Sequence, residues 1–494
     1  MDLEQLYNQA MAFHRGGRLA EAEQLYRQVT AGDPFAFAPR HMLGLLFAQQ
    51  GRHEQALEEL AAALKINPGV PQAQVHCGNV LLELQRPAEA LPHFDRALAA
   101  QPYDAAALKS RGFALWRLRR YDEALAGYQK ALAVNPDDAE VLNDIGNILR
   151  HMRRHREALE QYDRALAVAP GVPELLNNRG ITLTEMQRFA EALACFDRAL
   201  TARPGYAEAL VNRGKALCES GRMEEGFAAF TAAARMTPAP SDARAHKVAH
   251  DAEQLAWLGG RIADTATLHF EGGERLKGPA INPANAAAIA AAWRGADPKL
   301  VVIDDLLTPE ALAGLRRFCL GSTVWRKVYR DGYLGASPES GFACPLLAQI
   351  ADEFAATFPD IFDAHPLRYL WAFKYDSSLK GTEIHADEAA VNVNFWITPD
   401  DANLDLDSGG LVVWDRAAPL DWDFARFNAD APAMRQFLAE QGARPVTVPY
   451  RANRAVIFDS DLFHETDTIR FRDGYENRRI NVTLLYGRRE TGGV

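Results

Sequence analysis

Residues 105–136 read AAALKSRGFALWRLRRYDEALAGYQKALAVNP, and this stretch decides half of the fold. Gly112 sits in a first helical segment, Ala124 and Tyr128 lie four apart in a second, and Pro136 stops that second segment. The same marks return every 34 residues. Prolines stand at Pro34, Pro68, Pro102, Pro136, Pro170, Pro204 and Pro238. Glycines stand at Gly44, Gly78, Gly112, Gly146, Gly180 and Gly214, and small residues at Ala56, Ala90, Ala124, Ala158 and Ala192. Aromatics follow at Phe94, Tyr128, Tyr162, Phe196 and Phe230. Glycine lets two helices approach closely, and proline cannot continue a helix. The register predicts seven helix–turn–helix hairpins.

A period of 34 residues resembles the tetratricopeptide repeat. The resemblance implies an all-α tetratricopeptide superhelix over residues 1–240, its concave face lined by the first helix of each hairpin. Aligning the repeats puts Asp144, Asn178 and Asn212 at one position and Asn79 and Asn147 at another, with Asn143 and Asn177 beside them. Asparagine is a poor residue inside a helix, so its recurrence asks for a reason. An exposed carboxamide both donates and accepts, which suits a protein or peptide substrate laid along the groove. The pattern resembles the asparagine ladder of the repeat domain in O-linked N-acetylglucosamine transferases. Interhelical hydrogen bonding, or recurrence by repeat duplication, is the competing reading.

Repeats account for 238 of 494 residues, so a second domain must follow. A formal charge of −11 argues against non-specific nucleic-acid binding, which rests on Lys and Arg neutralising phosphates. The five cysteines (Cys77, Cys195, Cys218, Cys319, Cys344) form no C-x-x-C pair, so neither a disulfide framework nor a zinc ribbon is expected. No secretory leader and no 18-residue apolar run is visible, and the expectation is a cytoplasmic protein without a membrane partner. The oligomeric state stays open.

Residues 241–297 read as a capping helix and connector. The helix covers 243–258, opening after Ser241-Asp242 and ending at Gly259-Gly260. From 298 to 494 the period changes. A strand at 300–303 and a helix starting at Thr308-Pro309-Glu310 are followed by short strands at 370–375, 391–397, 411–414, 446–448, 455–458 and 480–486. This spacing predicts a β-sandwich or barrel backed by helices, hence a multidomain α + β chain.

The chemistry gathers in this second half. His385-Ala386-Asp387 stands just after a strand, and His464 follows the strand at 455–458. Two imidazoles and one carboxylate with open positions suit a non-heme Fe(II). Residues i and i+2 of an extended segment project to one side, so His385 and Asp387 can share an ion. Strand alternation puts Ile480, Val482, Leu484 and Tyr486 on one face and Arg479, Asn481 and Thr483 on the other. Asn392, Asn394 and Trp396 likewise oppose Val391, Val393, Phe395 and Ile397. Two strands thus turn polar groups into one interior, and an inward arginine needs an anion. A one-residue slip would exchange Arg479 for Arg478.

At these residues the chain resembles the Fe(II)- and 2-oxoglutarate-dependent dioxygenases of the double-stranded β-helix (jelly-roll) fold, prolyl-hydroxylase-like in its opening Val301-Val302-Ile303-Asp304-Asp305. Gly381, Gly409-Gly410-Leu411 and Arg479-x-Asn481-x-Thr483 carry the resemblance further. It implies that His385, Asp387 and His464 ligate iron and form the catalytic centre. It implies that Arg479 grips the distal carboxylate of 2-oxoglutarate with help from Tyr375, and that Asn394, Asn481 and Thr483 line the same cosubstrate site. O₂ is the co-reactant and ascorbate an accessory reductant. Leu485 stands where the nucleic-acid-demethylating branch carries a further arginine, and Arg479 where prolyl hydroxylases carry lysine, so neither branch's substrate carries over. The expected function is hydroxylation of a protein or peptide side chain recruited by the repeats. The rivals are a non-enzymatic repeat scaffold with a degenerate barrel, and an oxygenase acting on a small molecule or carbohydrate.

Overall fold

A computed structural model of the chain describes residues 2–238, 242, 244–329, 332–362, 364–376 and 381–489. Fourteen helices, from Leu3–Arg15 to Met223–Met236, form seven hairpins. Each second helix stops in the same way. The helix Tyr121–Val134 ends on Asn135, extended at φ −129° and ψ 92°, because Pro136 bars α geometry from the residue before it. Asp33, Asn67, Gln101, Ala169 and Arg203 repeat that cap. The turn inside each hairpin is also periodic. Gly17, Gly51, Gln85, Arg119, Arg153, Gln187 and Gly221 are all left-handed, with φ between 58° and 83°. Only three of the seven are glycine, so residue type alone did not announce the position.

The glycine column works by close approach. A Cβ built on Gly146 would lie 2.6 Å from the ring of Tyr162, on Gly78 2.6 Å from Phe94, and on Gly214 2.7 Å from Phe230. Leu60 fills the aromatic's place against Gly44. These rings are buried, so they have no open space to retreat into.

The chain divides into two compact units, residues 1–182 and 183–494. The second therefore begins inside the repeats. Cys218, Met223, Phe227 and Phe230 of the last hairpin share one apolar core with Phe318, Leu347, Ile350 and Phe354 of the following region. The helix expected at 243–258 runs Ala245–Leu258 and closes on left-handed Gly259. Ser241 and Ala243 lie outside the described residues, while the Asp242 carboxylate accepts the Arg244 backbone N–H at 2.9 Å.

Ten strands follow: β1 (Leu300–Ile303), β2 (Lys327–Val328), β3 (Leu334–Ala336), β4 (Leu367–Lys374), β5 (Val391–Trp396), β6 (Leu411–Ala417), β7 (Pro445–Val448), β8 (Ala455–Asp459), β9 (Leu462–Thr466) and β10 (Ile480–Tyr486). They make two antiparallel sheets, a seven-stranded one ordered β1-β8-β5-β10-β4-β3-β2 and a three-stranded one ordered β7-β6-β9. Alternation sorts the larger sheet. Val391, Val393, Phe395, Ala455, Ile457, Ile480, Val482, Leu484 and Tyr486 pack on the helices Pro309–Gly321 and Pro345–Thr357. Trp396, Val456 and Phe458 point the other way, against Leu411, Val413, Val448 and Leu462 of the smaller sheet. Gly410 marks how tightly this closes: a Cβ there would collide with the Val448 carbonyl oxygen.

Two expectations need correction. His385-Ala386-Asp387 does not stand just after a strand; it lies in the long β4–β5 connection, eleven residues past the end of β4. His464 does not trail the 455–458 strand but occupies the middle of β9, a strand the sequence reading lacked.

The glycine column yields a signed pair of substitutions. Gly146→Ala should destabilise the repeats by about 1–3 kcal/mol, since overpacking against Tyr162 outweighs the helical gain. Gly127→Ala, whose new methyl has no neighbour nearer than 3.9 Å, should stabilise them, by roughly 0.5–1 kcal/mol. Thermal unfolding of the full chain followed by far-UV circular dichroism checks both signs.

Candidate metal centre

The β4–β5 connection reaches the smaller sheet through a pair of backbone hydrogen bonds. His385 N–H donates to the His464 carbonyl at 3.0 Å, and His464 N–H donates to the His385 carbonyl at 2.8 Å. The two imidazoles are thereby held side by side, their centroids 4.3 Å apart. Asp387 N–H donates to Ser460 O at 3.1 Å, tying the segment to the β8–β9 turn. Ala386 N–H donates to Phe427 O and Asn428 Nδ2 to Ala386 O, tying it to the helical insertion between β6 and β7. Ile384 and Ala386 bury into the apolar cluster of Trp422, Phe427 and Phe463. Alternation sends His385 and Asp387 to the opposite side.

There His385, Asp387 and His464 offer one ligand atom each within 4.8 Å of one another. His385 Nδ1 lies 2.7 Å from Glu383 O and His464 Nδ1 3.0 Å from Leu462 O. Backbone carbonyls only accept, so both protons sit on Nδ1 and both Nε2 lone pairs are free for a metal. Those atoms lie 3.9 and 3.3 Å from the Asp387 carboxylate oxygens. Burial works against ionised Asp387, yet hydrogen bonds to its carboxylate, that from Asn392 among them, keep the carboxyl below the usual range. Burial lowers His385, favouring the neutral ligand form. Two neutral imidazoles and one carboxylate, closely spaced and positioned by backbone contacts, fit a divalent ion that prefers mixed N/O ligands.

A line of hydrogen bonds runs from this triad along the inner face of β5 and β10. Asn392 Nδ2 donates to Asp387 Oδ2 at 2.7 Å, and Asn394 Nδ2 donates to Asn392 Oδ1 at 2.6 Å. Thr483 Oγ1 donates to Asn394 Oδ1 at 2.7 Å, and Asn481 Nδ2 reaches the same oxygen at 3.3 Å. Arg479 Nη1 closes the line on Asn481 Oδ1 at 3.4 Å.

Arg479 is 1% exposed. Its Nε and Nη2 donate to the carbonyls of Gly409 and Gly410 at 2.7 and 3.2 Å, and its guanidinium faces the rings of Tyr375 and Trp396. Among the described residues no carboxylate pairs with it, and burial lowers its pKa. An unpaired buried guanidinium is a strong demand for an anion. Arg478 turns to the other face and is satisfied there, by Glu253 at 3.0 Å and Asp376 at 3.3 Å. Tyr375 lies one residue beyond β4, with its phenol raised by burial. The structure thus brings His385, Asp387, His464, Arg479, Tyr375, Asn394, Asn481 and Thr483 around one inner cavity of about 30 Å³. That cavity shares Trp371, Phe373, Thr382, His385 and Asp387 with an outer cleft of about 590 Å³.

Sequence reasoning placed Asn392 on the inner face but ranked it below Asn394; the structure makes it the residue that holds Asp387. Its parity signal was present, because it shares the face of Asn394. Thr382 and Thr466, whose hydroxyls lie 2.7 Å apart beside Tyr375, carried no comparable signal.

The repeat residues divide differently. Asn177 is 1% exposed, so it cannot belong to an exposed ladder. Asn178 Nδ2 donates to Asn143 Oδ1 at 2.9 Å, Asn147 Oδ1 accepts from the Tyr162 hydroxyl at 2.8 Å, and Asp144 accepts from Tyr128 at 3.0 Å. Interhelical hydrogen bonding therefore engages four of these side chains, and burial pushes the Asp144 carboxyl up to about 6. Asn79 and Asn212 are half-buried. No helix among the described residues is long and apolar enough to cross a membrane.

Comparison with known proteins reaches the helical part. Family profiles described as Tetratricopeptide repeat match residues 41–105 and 177–243, and a further one 103–171. A search of curated proteins returns no match. Among solved structures the chain is similar to a tetratricopeptide repeat protein from Parabacteroides merdae: 22% identity over 47% of this chain and 93% of that one, TM-score 0.42. It is also similar to YrrB, described as a TPR protein with an unusual peptide-binding site: 24% identity over 37% of this chain and 95% of that one, TM-score 0.33. Pseudomonas aeruginosa pilF matches at 21% identity over 39% of this chain and 88% of its own, TM-score 0.35. The hairpins of the N-terminal part are tetratricopeptide repeats, and a β-rich antiparallel region follows them.

Proposed function

We propose that residues 298–494 form an oxygenase of the double-stranded β-helix fold that uses Fe(II), 2-oxoglutarate and O₂ to hydroxylate a side chain of a protein or peptide recruited through the repeats. One observation carries this reading. Two imidazole Nε2 atoms and a carboxylate converge on one point, while a buried arginine with no acidic partner among the described residues lines the same cavity. Bound iron and 2-oxoglutarate would supply the oxidising equivalents for the C–H bond, with succinate and CO₂ as co-products.

The chain's own residues do the rest. His385, Asp387 and His464 would hold the metal with a net charge of about +1, leaving positions open. Arg479 would bind the distal carboxylate of the cosubstrate through N–H groups not spent on Gly409 and Gly410. Tyr375 and Trp396 wall that end and exclude water, which strengthens the ion pair. The inner cavity is smaller than a five-carbon diacid, so binding must widen it. Asn481 and Thr483, hydrogen-bonded to each other at 3.3 Å, are placed to exchange partners as it opens. Tetratricopeptide repeats generally bind protein partners, which supports a macromolecular substrate.

The full chain incubated with Fe(II), 2-oxoglutarate and air should release succinate, with both additions required. If no succinate forms and calorimetry detects no 2-oxoglutarate binding in the presence of Mn(II), the chain is a repeat scaffold. Arg479→Ala should weaken 2-oxoglutarate binding by roughly two orders of magnitude, because the other charge of a buried pair is left alone. Arg478→Ala should leave that affinity within a factor of about three, since Arg478 spends its charge outside the cavity. Asn392→Ala should weaken Mn(II) binding about 10- to 100-fold, the usual cost of losing a group that orients a metal ligand. Mn(II) titration followed by electron paramagnetic resonance reads that change.

A further inference from the structure

We propose that the outer cleft is built for a cationic side chain, lysine or arginine, of the peptide substrate; this deepens the oxygenase reading and rests on it. The cleft has two unlike walls. One is aromatic: Tyr369, Trp371 and Phe373 alternate with Leu370 and Ala372, so they stand on the inner face of β4. Tyr329 and Tyr333 extend this wall, stacked at 4.5 Å, with Phe373 edge-on to both. The other wall is the segment that carries the metal ligands, and it presents two further carboxylates, Glu383 and Glu388. Both are exposed, and neither side chain has an ion pair or hydrogen bond among the described residues. Phe424, 54% exposed, adds an apolar surface from the helical insertion.

The charges decide what fits. Lys327 is the one cation among the described lining residues, and its ammonium lies 5.0 Å from the Tyr329 ring centroid. The aromatic wall thus already receives an ammonium on a ring face. With a dication, the Asp387 carboxylate, a dianionic cosubstrate and the Arg479 guanidinium in place, the centre itself is neutral. Glu383 and Glu388 set against Lys327 leave the described lining of the cleft with one net negative charge. An acidic side chain would be repelled. A neutral sugar or a proline ring could stack on the aromatics, but would leave two carboxylates without a partner. A lysine or arginine satisfies both walls: its head pairs with Glu383 and Glu388, and its methylene stem lies on apolar surface. That stem also supplies an aliphatic C–H bond for the hydroxylation, in which the carbon gains the hydroxyl oxygen from O₂ while 2-oxoglutarate provides the two remaining electrons and leaves as succinate and CO₂.

The test uses the full chain with Mn(II) and 2-oxoglutarate, and fluorescein-labelled peptide pools with random flanks and a fixed central residue. The centres are arginine, lysine, citrulline, norleucine, proline and O-glucosylserine, and binding is read by anisotropy. Arginine and lysine pools should bind about tenfold tighter than citrulline and norleucine, as expected for a cation on an aromatic face with a carboxylate partner. The double variant E383Q/E388Q should erase that preference, which separates the cleft from general attraction to an acidic chain. Equal binding of arginine and citrulline pools would overturn the proposal, as would a preference for the proline or glucosylated centre, or a cation preference that survives the double variant. Calorimetric binding of 2-oxoglutarate in the same samples keeps the two readings apart: if it is absent, the oxygenase reading falls; if it is present without cation preference, only the cleft assignment falls.

Discussion

The hydrogen-bond line from Asp387 through Asn392, Asn394, Thr483 and Asn481 to Arg479 is the constraint on which the rest of the β-rich region turns. Each member is nearly inaccessible to solvent, so each would be costly without a partner. Neighbouring strands must therefore keep their register, because a shift of one residue would send the whole line to the helix-covered face. β10 supplies Arg479, Asn481 and Thr483 at its edge and interior, while β5 supplies Asn392 and Asn394 across the ladder from it. Thr483 stands directly opposite Asn394. The same pairing that builds the sheet thus aligns the polar line.

A buried polar line of this kind is weak as a source of stability. Each hydrogen bond contributes about 1 kcal/mol net, whereas leaving one group unpaired costs more than that. Its value is specificity of arrangement. Asp387 has one oxygen fixed by Asn392 and lies 3.3 Å from His464 Nε2, so its orientation relative to the imidazoles is set by the fold itself. Preorganised ligands lose little freedom on binding. Arg479 is fixed from behind by the Gly409 and Gly410 carbonyls, in a place where even a methyl group on Gly410 would collide with the next strand.

How much of this could be read from the sequence depended on whether a rule was local or pairwise. Proline after a helix acts on its immediate neighbour, so Pro136 and its six equivalents fixed the hairpins unaided. The two-residue period of β10 is also local and favoured Arg479 over Arg478, but a one-residue slip would have reversed that choice, and the register is fixed only by pairing with β4 and β5. The placement of His385 was not local. Its segment is extended only because His464 offers it a backbone partner 79 residues on, and no propensity within 381–390 reveals that. β9 escaped notice for a related reason: Leu462–Thr466 is five residues long and begins two residues after β8 ends, so the two strands blur into one run. The helix-interior asparagines were legible as an anomaly and ambiguous in cause. Asn143, Asn147 and Asn178 turn their carboxamides at least in part to neighbouring helices.

The last hairpin and the β-rich region are joined more intimately than a linker would allow. Phe227 and Phe230 of the last hairpin lie in the same core as the helices behind the larger sheet. Thr231 donates to Ala343 O at 3.2 Å, and Glu219 lies 3.5 Å from Arg488. Removing the last hairpin would open that core, so its conservation of shape is required for the sheet as much as for the repeat array. The last hairpin is consequently a structural part of the β-rich unit.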